Sequence, residues 1–215
     1  MTLSNLFESE GYLVLDDVLS SQALDEVEKN IEKITLNRAG SRNLLHQRWC
    51  QKLLLALKQH HSITGLLPPT TVAVQCTYFY KSNARNWLVS LHRDQFIPVK
   101  RQVTAEGWSS WSEKEGVTYV RPPEPILASM VAVRLHLEDN NEFNGPLQVI
   151  PGSHIQHSES KTRVKCFVRK GGALVLRPLL LHASSKLTQG ARRVLHFLYG
   201  PNNLPNGVKW KYTIK

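Results

Sequence analysis

The sequence predicts a mainly β domain, an antiparallel sandwich or barrel with helices flanking one face. Three observations carry this. The first 65 residues place apolar side chains at helical spacing, and eight short runs between residues 71 and 199 read as strands. The composition, 41% hydrophobic and 20% charged, is that of an ordinary globular protein. At 215 residues, one domain over 1–215 can bury its core without disulfides or a structural metal. A mostly helical part over 1–65 and a β core over 70–200 are expected within it.

In the helical part, Ser20 and Ser21 can cap a helix whose Leu24, Val27, Ile31 and Ile34 share one face. A second apolar helix is expected near Trp49 to Leu57, and Gly65 with Pro68 and Pro69 closes this part. The period then changes. From Thr71 to Tyr80, Val72, Val74, Cys76, Tyr78 and Tyr80 alternate with Thr71, Ala73, Gln75, Thr77 and Phe79, a strand pattern rich in β-branched and aromatic residues. Further strands are expected over Trp87 to His92, Ile97 to Val103, Met130 to Leu137, Leu147 to Ile150, Lys165 to Val168, Ala173 to Leu176 and Val194 to Tyr199. Ala105 to Pro125 breaks the rhythm with two glycines, three prolines, Trp108, Trp111 and Tyr119. Long irregular loops in compact domains are usually functional or disordered, and two tryptophans speak for order. Residues 105–125 are therefore read as a lid loop over a site, with Trp108 and Trp111 as candidate substrate contacts.

Several function classes fall away. No apolar stretch approaches the length that spans a bilayer, and the N-terminus lacks the basic start and apolar run of a secretory signal. Cys50, Cys76 and Cys166 are odd in number and widely spaced, which disfavours a disulfide framework or a cysteine zinc site and favours a reducing compartment. A cytoplasmic protein is expected. The formal charge of +10 is scattered along the chain rather than gathered in a block. Such a field favours an anionic small molecule, while the absence of a clustered basic helix disfavours nucleic acid. Composition does not decide the oligomeric state.

The chemistry starts at His92-Arg93-Asp94, at the end of an expected strand. Alternation sends His92 and Asp94 to one side and Arg93 to the other, so an imidazole and a carboxylate can fill adjacent positions on a metal. A second histidine would complete a two-histidine, one-carboxylate facial triad. With nine histidines and 17 acids, about 0.7 such H-x-[DE] patterns arise by chance, and His136-Leu137-Glu138 is another. Its neighbours Val131, Val133, Leu135 and Leu137 read as core strand, so His136 is expected to be a satisfied core or surface histidine, and His196 likewise. The strand-like run from Ala173 ends at His182, which offers the third ligand. Ten residues later Arg192 opens the next strand, where a guanidinium could clamp a carboxylate with paired hydrogen bonds.

Taken together, Asn86 through Asp94, Asn144-Gly145-Pro146 through Pro151-Gly152-Ser153-His154, Arg177 through Ser185, and Arg192 through Phe197 resemble the phytanoyl-CoA dioxygenase family of Fe(II)/2-oxoglutarate oxygenases. Gly11 to Leu15 resembles the family's opening strand, so the likeness spans nearly the whole chain. The resemblance implies a double-stranded β-helix (jelly-roll, cupin-like) core and an iron held by His92, Asp94 and His182. It also implies 2-oxoglutarate bound through an arginine at the start of the last core strand. Counting back from Tyr199 selects Arg192 and counting forward from His182 selects Arg193; Arg192 is preferred because the strand should hold its register. Ser184 matches a family serine near the cosubstrate. Arg134, a charge inside an apolar strand, needs an anionic partner, either the cosubstrate or a structural carboxylate. Gln75 matches a family position near the site. The implied reaction consumes 2-oxoglutarate and O2, releases succinate and CO2, and hydroxylates an unactivated C–H bond of an acyl, amino-acid-derived or natural-product intermediate. A non-catalytic jelly-roll binding protein and an oxygenase acting on nucleic acid are the rival readings.

Overall fold

A computed structural model of the chain describes residues 2–34, 40–155 and 162–214. The helical part opens with α1 (Leu3–Glu10), followed by β1 (Tyr12–Leu15), α2 (Ser21–Ile31), a two-residue strand β2 (Gly40–Ser41), α3 (Arg48–Gln59) and the short α4 (His61–Thr64). Residues 35–39 of this part lie outside the described residues. The Ser20 hydroxyl caps α2 by accepting from the Ala23 backbone N–H at 3.3 Å. Leu24, Val27 and Ile31 are its buried stripe, and Ile34 packs on the same cluster just beyond the helix end. Between α1 and β1 the chain turns at Gly11, whose φ of 79° and close approach to His154 and Leu180 leave no room for a Cβ.

The β part runs β3 (Thr71–Lys81), β4 (Val89–His92), β5 (Ile97–Val99), β6 (Ser109–Lys114), β7 (Val117–Arg121), α5 (Glu124–Ala128), β8 (Val131–His136), β9 (Leu147–Val149), β10 (Val164–Cys166), β11 (Ala173–Leu176), β12 (His182–Ser184) and β13 (Arg192–Pro201). They form a six-stranded sheet in the order β1-β11-β8-β13-β3-β2 and a four-stranded sheet in the order β10-β9-β12-β4. Every strand pair is antiparallel, and the two facing sheets make the expected jelly-roll core. Outward side chains of the large sheet, among them Val133, Leu135, Leu195, Phe197 and Tyr199, pack against Leu24, Val27, Leu54 and Leu57 of the helices. Inward side chains, among them Ala132, Leu174, Leu176 and Leu198, meet Leu147, Val149 and Cys166 of the small sheet. Burial at roughly 1.5–3 kcal/mol per large aliphatic side chain makes these two layers the main stabilising term.

One irregularity matters for the site. In the β13–β3 pairing Leu198 stands opposite Gln75 and Tyr199 opposite Ala73, so Val74 is an extra residue. The bulge reverses the alternation. Val72 and Val74 face the inner layer, and beyond the bulge so do Gln75, Thr77 and Phe79, while Cys76 and Tyr78 turn to the helices.

Residues 105–125, expected as an irregular loop, have regular structure. They contain the hairpin β6–β7, which joins β5 in a third sheet of order β5-β7-β6. Glu115 and Gly116 turn it, both at positive φ (53° and 70°), as a two-residue primed turn requires. The β6 side chains are exposed except for the half-buried Trp111, so no apolar alternation marks the strand in sequence. The prolines belong to the start of α5. Arg42 fastens the tip, its backbone N–H and Nη1 both donating to the Glu115 carboxylate at 2.9 Å.

Candidate active site

A cavity of about 560 Å³ opens between the two main sheets, with the hairpin along one rim. His92 at the end of β4 and His182 at the start of β12 are direct cross-strand partners in the small sheet. Their rings stand 4.3 Å apart, centroid to centroid. Asp94 follows β4, held by its backbone N–H donating to the Pro178 carbonyl at 2.9 Å. One donor atom from each of His92, Asp94 and His182 lies within 4.8 Å of the other two. The His92 Nε2 is 3.5 Å from one Asp94 oxygen and the His182 Nε2 is 3.7 Å from the other.

The imidazoles are oriented for a metal. His92 Nδ1 donates to the Ser90 carbonyl at 2.9 Å and His182 Nδ1 to the Leu180 carbonyl at 2.8 Å, which leaves each Nε2 to face Asp94. Burial pushes the His182 pKa down and favours the neutral ring that ligates metals. A hydrogen bond with Asp94 raises His92 against burial. Burial opposes ionisation of Asp94, yet His182, His92 and His196 hold its carboxyl well below the usual carboxylate range. With a metal in place of the proton that His92 shares with Asp94, the two imidazoles and the ionised carboxylate would fit Fe(II) on one side of the cavity.

Alternation along β13 separates the two arginines. Arg192, His196 and Leu198 line the cavity. Arg193 faces the helices, bonded to the Glu138 carboxylate and, at 3.1 Å, to Glu28. Arg192 is buried, its Nη1 donates to the Gly145 carbonyl, and its Nε has no partner among the described residues. Burial and the neighbouring Arg134 lower its pKa to about 9. A desolvated guanidinium with a donor to spare calls for an anion. Arg134 lies on the inner face of β8 over the Phe79 ring, with Nη1 3.3 Å from His196 Nδ1 and no ion pair among the described residues. Gln75 also lines the cavity, donating to Thr77 Oγ1 at 2.7 Å, and Ser184 lies beside His182 on its wall.

The family model described as phytanoyl-CoA dioxygenase matches residues 7–194. The chain belongs to that family. As a phytanoyl-CoA dioxygenase family member it is an oxygenase that works with Fe(II), 2-oxoglutarate and O2, and His92, Asp94 and His182 are the grouping that could hold the metal. No curated protein matches the chain by sequence. Among solved structures it is similar to the non-heme alpha ketoglutarate dependent carbocyclase SnoK from nogalamycin biosynthesis, at 14% identity and a TM-score of 0.65 over 94% of this chain and 83% of that one. HygX from Streptomyces hygroscopicus with nickel and 2-oxoglutarate bound is similar at 18% identity and a TM-score of 0.65, over 92% and 85%. The epimerase SnoN from nogalamycin biosynthesis gives 14% and 0.66, over 95% and 89%. At these identities the likeness speaks to the fold.

Some residues of this family member stand where the sequence did not put them. Trp108 and Trp111 are absent from the cavity wall. Trp108 is buried with Ile97, Val99 and Val120 under the hairpin, and Trp111 packs against the same cluster. The hairpin instead contributes Lys114 and Tyr119. His196 is not an inert core histidine: its Nε2 is 4.0 Å from Asp94, and burial and Arg134 push its pKa down to about 3. Its parity with Arg192 on one strand was the available signal. His136 is buried but unsatisfied, neither ring nitrogen having a partner among the described residues, and burial with Arg134 and Arg192 keeps it neutral. Lys81, the last residue of β3, was missed altogether.

Proposed function

We propose that this oxygenase hydroxylates an unactivated C–H bond of an anionic small molecule. The supporting observation is the meeting, in one cavity, of a facial His92, Asp94 and His182 set with the buried, under-partnered Arg192. His92, Asp94 and His182 hold iron on the small-sheet side. Arg192, with Ser184, receives the 2-oxoglutarate carboxylate remote from the metal through charge-assisted hydrogen bonds. Arg134 and Gln75 line the same cavity and complete its polar lining. With 2-oxoglutarate bound, iron supplies O2 activation: one oxygen atom leaves in succinate as CO2 is released, and the other is inserted into the C–H bond. Orientation and exclusion of water fall to the protein.

The rim supports the substrate class. Arg42, Arg93, Lys114, Arg134 and Arg192 line the cavity, and Asp94 is the one acid among the described residues that line it. Lys114 stands over the rings of Phe96 and Tyr119, 5.3 and 5.6 Å from their centroids, so cation and aromatic surface are offered together at the mouth. The hairpin is thus a substrate-facing rim through Lys114 and Tyr119, with Trp108 and Trp111 beneath it.

The test is anaerobic titration of the protein with Fe(II) and 2-oxoglutarate, followed by the weak visible charge-transfer band of the chelate. The wild type is expected to develop the band, and Asp94→Ala and His182→Ala to lose it. A wild type without the band, or variants that retain it, sinks the reading.

A further inference from the structure

Lys81 closes β3 on its inner face, opposite Arg192 in the strand pairing, and is fully buried. Its Nζ donates to Ser184 Oγ at 3.1 Å and to the Ser185 carbonyl at 2.7 Å, and lies 5.0 Å from the Trp87 ring centroid. No carboxylate pairs with it among the described residues. Burying an ammonium without a counter-ion is costly, and removing it from water beside Arg192 and Arg134 lowers its pKa to about 7. A purely structural strand end would be cheaper as an apolar residue. The neighbour it holds explains the lysine. A serine hydroxyl has one proton and two acceptor lone pairs. When the lysine N–H occupies a lone pair, the Ser184 proton is turned away from Lys81, and Ser184 lines the cavity.

We propose that Lys81 is a positioning residue for 2-oxoglutarate: by donating to Ser184 Oγ it directs the Ser184 hydroxyl proton into the cavity, where that hydroxyl and Arg192 together receive the carboxylate remote from the metal. The inference rests on the 2-oxoglutarate reading above. It makes Lys81 act through Ser184 on one end of one ligand. The other end, the 2-oxo acid head at the metal, has no part in it.

The test measures dissociation constants on the full-length, Fe(II)-loaded protein under anaerobic conditions, by the visible band of the chelate. The ligands are 2-oxoglutarate and 2-oxobutyrate, which has the same head and no distal carboxylate. Lys81→Met is expected to weaken 2-oxoglutarate about ten- to a hundredfold and to leave 2-oxobutyrate within about threefold. Ser184→Ala should weaken 2-oxoglutarate similarly, and the double variant should bind no worse than Ser184→Ala alone. Lys81→Arg, which keeps a donor, should recover part of the loss. If Lys81→Met does not unfold cooperatively on heating, Lys81→Leu, which also lacks a donor, carries the same comparison. Equal weakening of both acids, unchanged 2-oxoglutarate binding, or additive losses in the double variant overturns the proposal. A wild type that binds neither acid at the metal overturns the cosubstrate reading itself, a result separable from any of these.

Discussion

Adjacent arginines on one strand show how far a single residue's parity reaches. Arg192 and Arg193 differ by one position, and the strand sends one to the cavity and the other to the helices. The first is buried with its Nε unpartnered among the described residues; the second is partly exposed and held by Glu138 and Glu28. Their substitutions should therefore differ in kind. Arg192→Met is expected to weaken 2-oxoglutarate at least about tenfold, through loss of charge-assisted hydrogen bonds. It should leave stability unchanged or higher, because a desolvated cation without an anion has been removed. Arg193→Met should bind 2-oxoglutarate as the wild type does and lose about 1 kcal/mol or less, the usual worth of partly exposed ion pairs. Urea unfolding beside the anaerobic titration reads both quantities. Interchanged results would mean that the arginines have exchanged roles.

The hairpin β6–β7 carries the corresponding argument for an element. Its strands are short and β6 is largely exposed, so its order rests on what lies beneath it, chiefly Trp108, with the Arg42–Glu115 clasp at its tip. Trp108→Ala should cost about 3–5 kcal/mol, as large aromatic truncations in cores do. Trp111→Ala, at a half-exposed position, should cost clearly less. Urea unfolding measures both, and equal small losses would return the two tryptophans to the surface. The same segment shows what the sequence leaves illegible. A strand buried on both faces, such as β13, announces itself by an apolar run, and the helices α2 and α3 by their stripes. A strand wetted on both faces has no such pattern, and a Glu-Gly turn is a weaker signal than Asn-Gly. The grouping of His92, Asp94 and His182 was legible because His92 and Asp94 fall two apart at a strand end and His182 ends a later strand-like run. His196 and Lys81 were not, because a polar residue inside an apolar strand reads as core or as strand end until register gives its facing. The bulge at Val74 hides Thr77 and Phe79 in the same way, and Gln75 was reached through the family resemblance rather than alternation: one inserted residue changes which of two alternating sets faces the cavity.

For the whole molecule, what matters is that the site is divided between two sheets. His92, Asp94, His182 and Ser184 belong to the small sheet or its edge, whereas Gln75, Arg134 and Arg192 belong to the large one. On the proposed reading a metal alone would engage one sheet, and 2-oxoglutarate chelated to that metal and reaching Arg192 would tie the two together. Anything that binds only the folded state stabilises it by mass action, about 2.7 kcal/mol at a hundredfold excess over Kd. In a chain of this size each kcal/mol moves Tm by roughly 2–4 °C. Manganese with 2-oxoglutarate, at saturating concentration and without turnover, should therefore raise Tm by about 5–10 °C, more than manganese alone. The rise should vanish on chelation. His182→Ala should abolish it entirely. Arg192→Met should keep the part due to metal and lose about half or more of the part due to 2-oxoglutarate. Differential scanning calorimetry measures all of these. A full rise with 2-oxoglutarate in the absence of metal would show the acid held elsewhere, by the +10 surface rather than across the two sheets. Salt separates these cases further, since a surface-bound dianion is screened at high ionic strength while one chelated at a buried centre is screened much less.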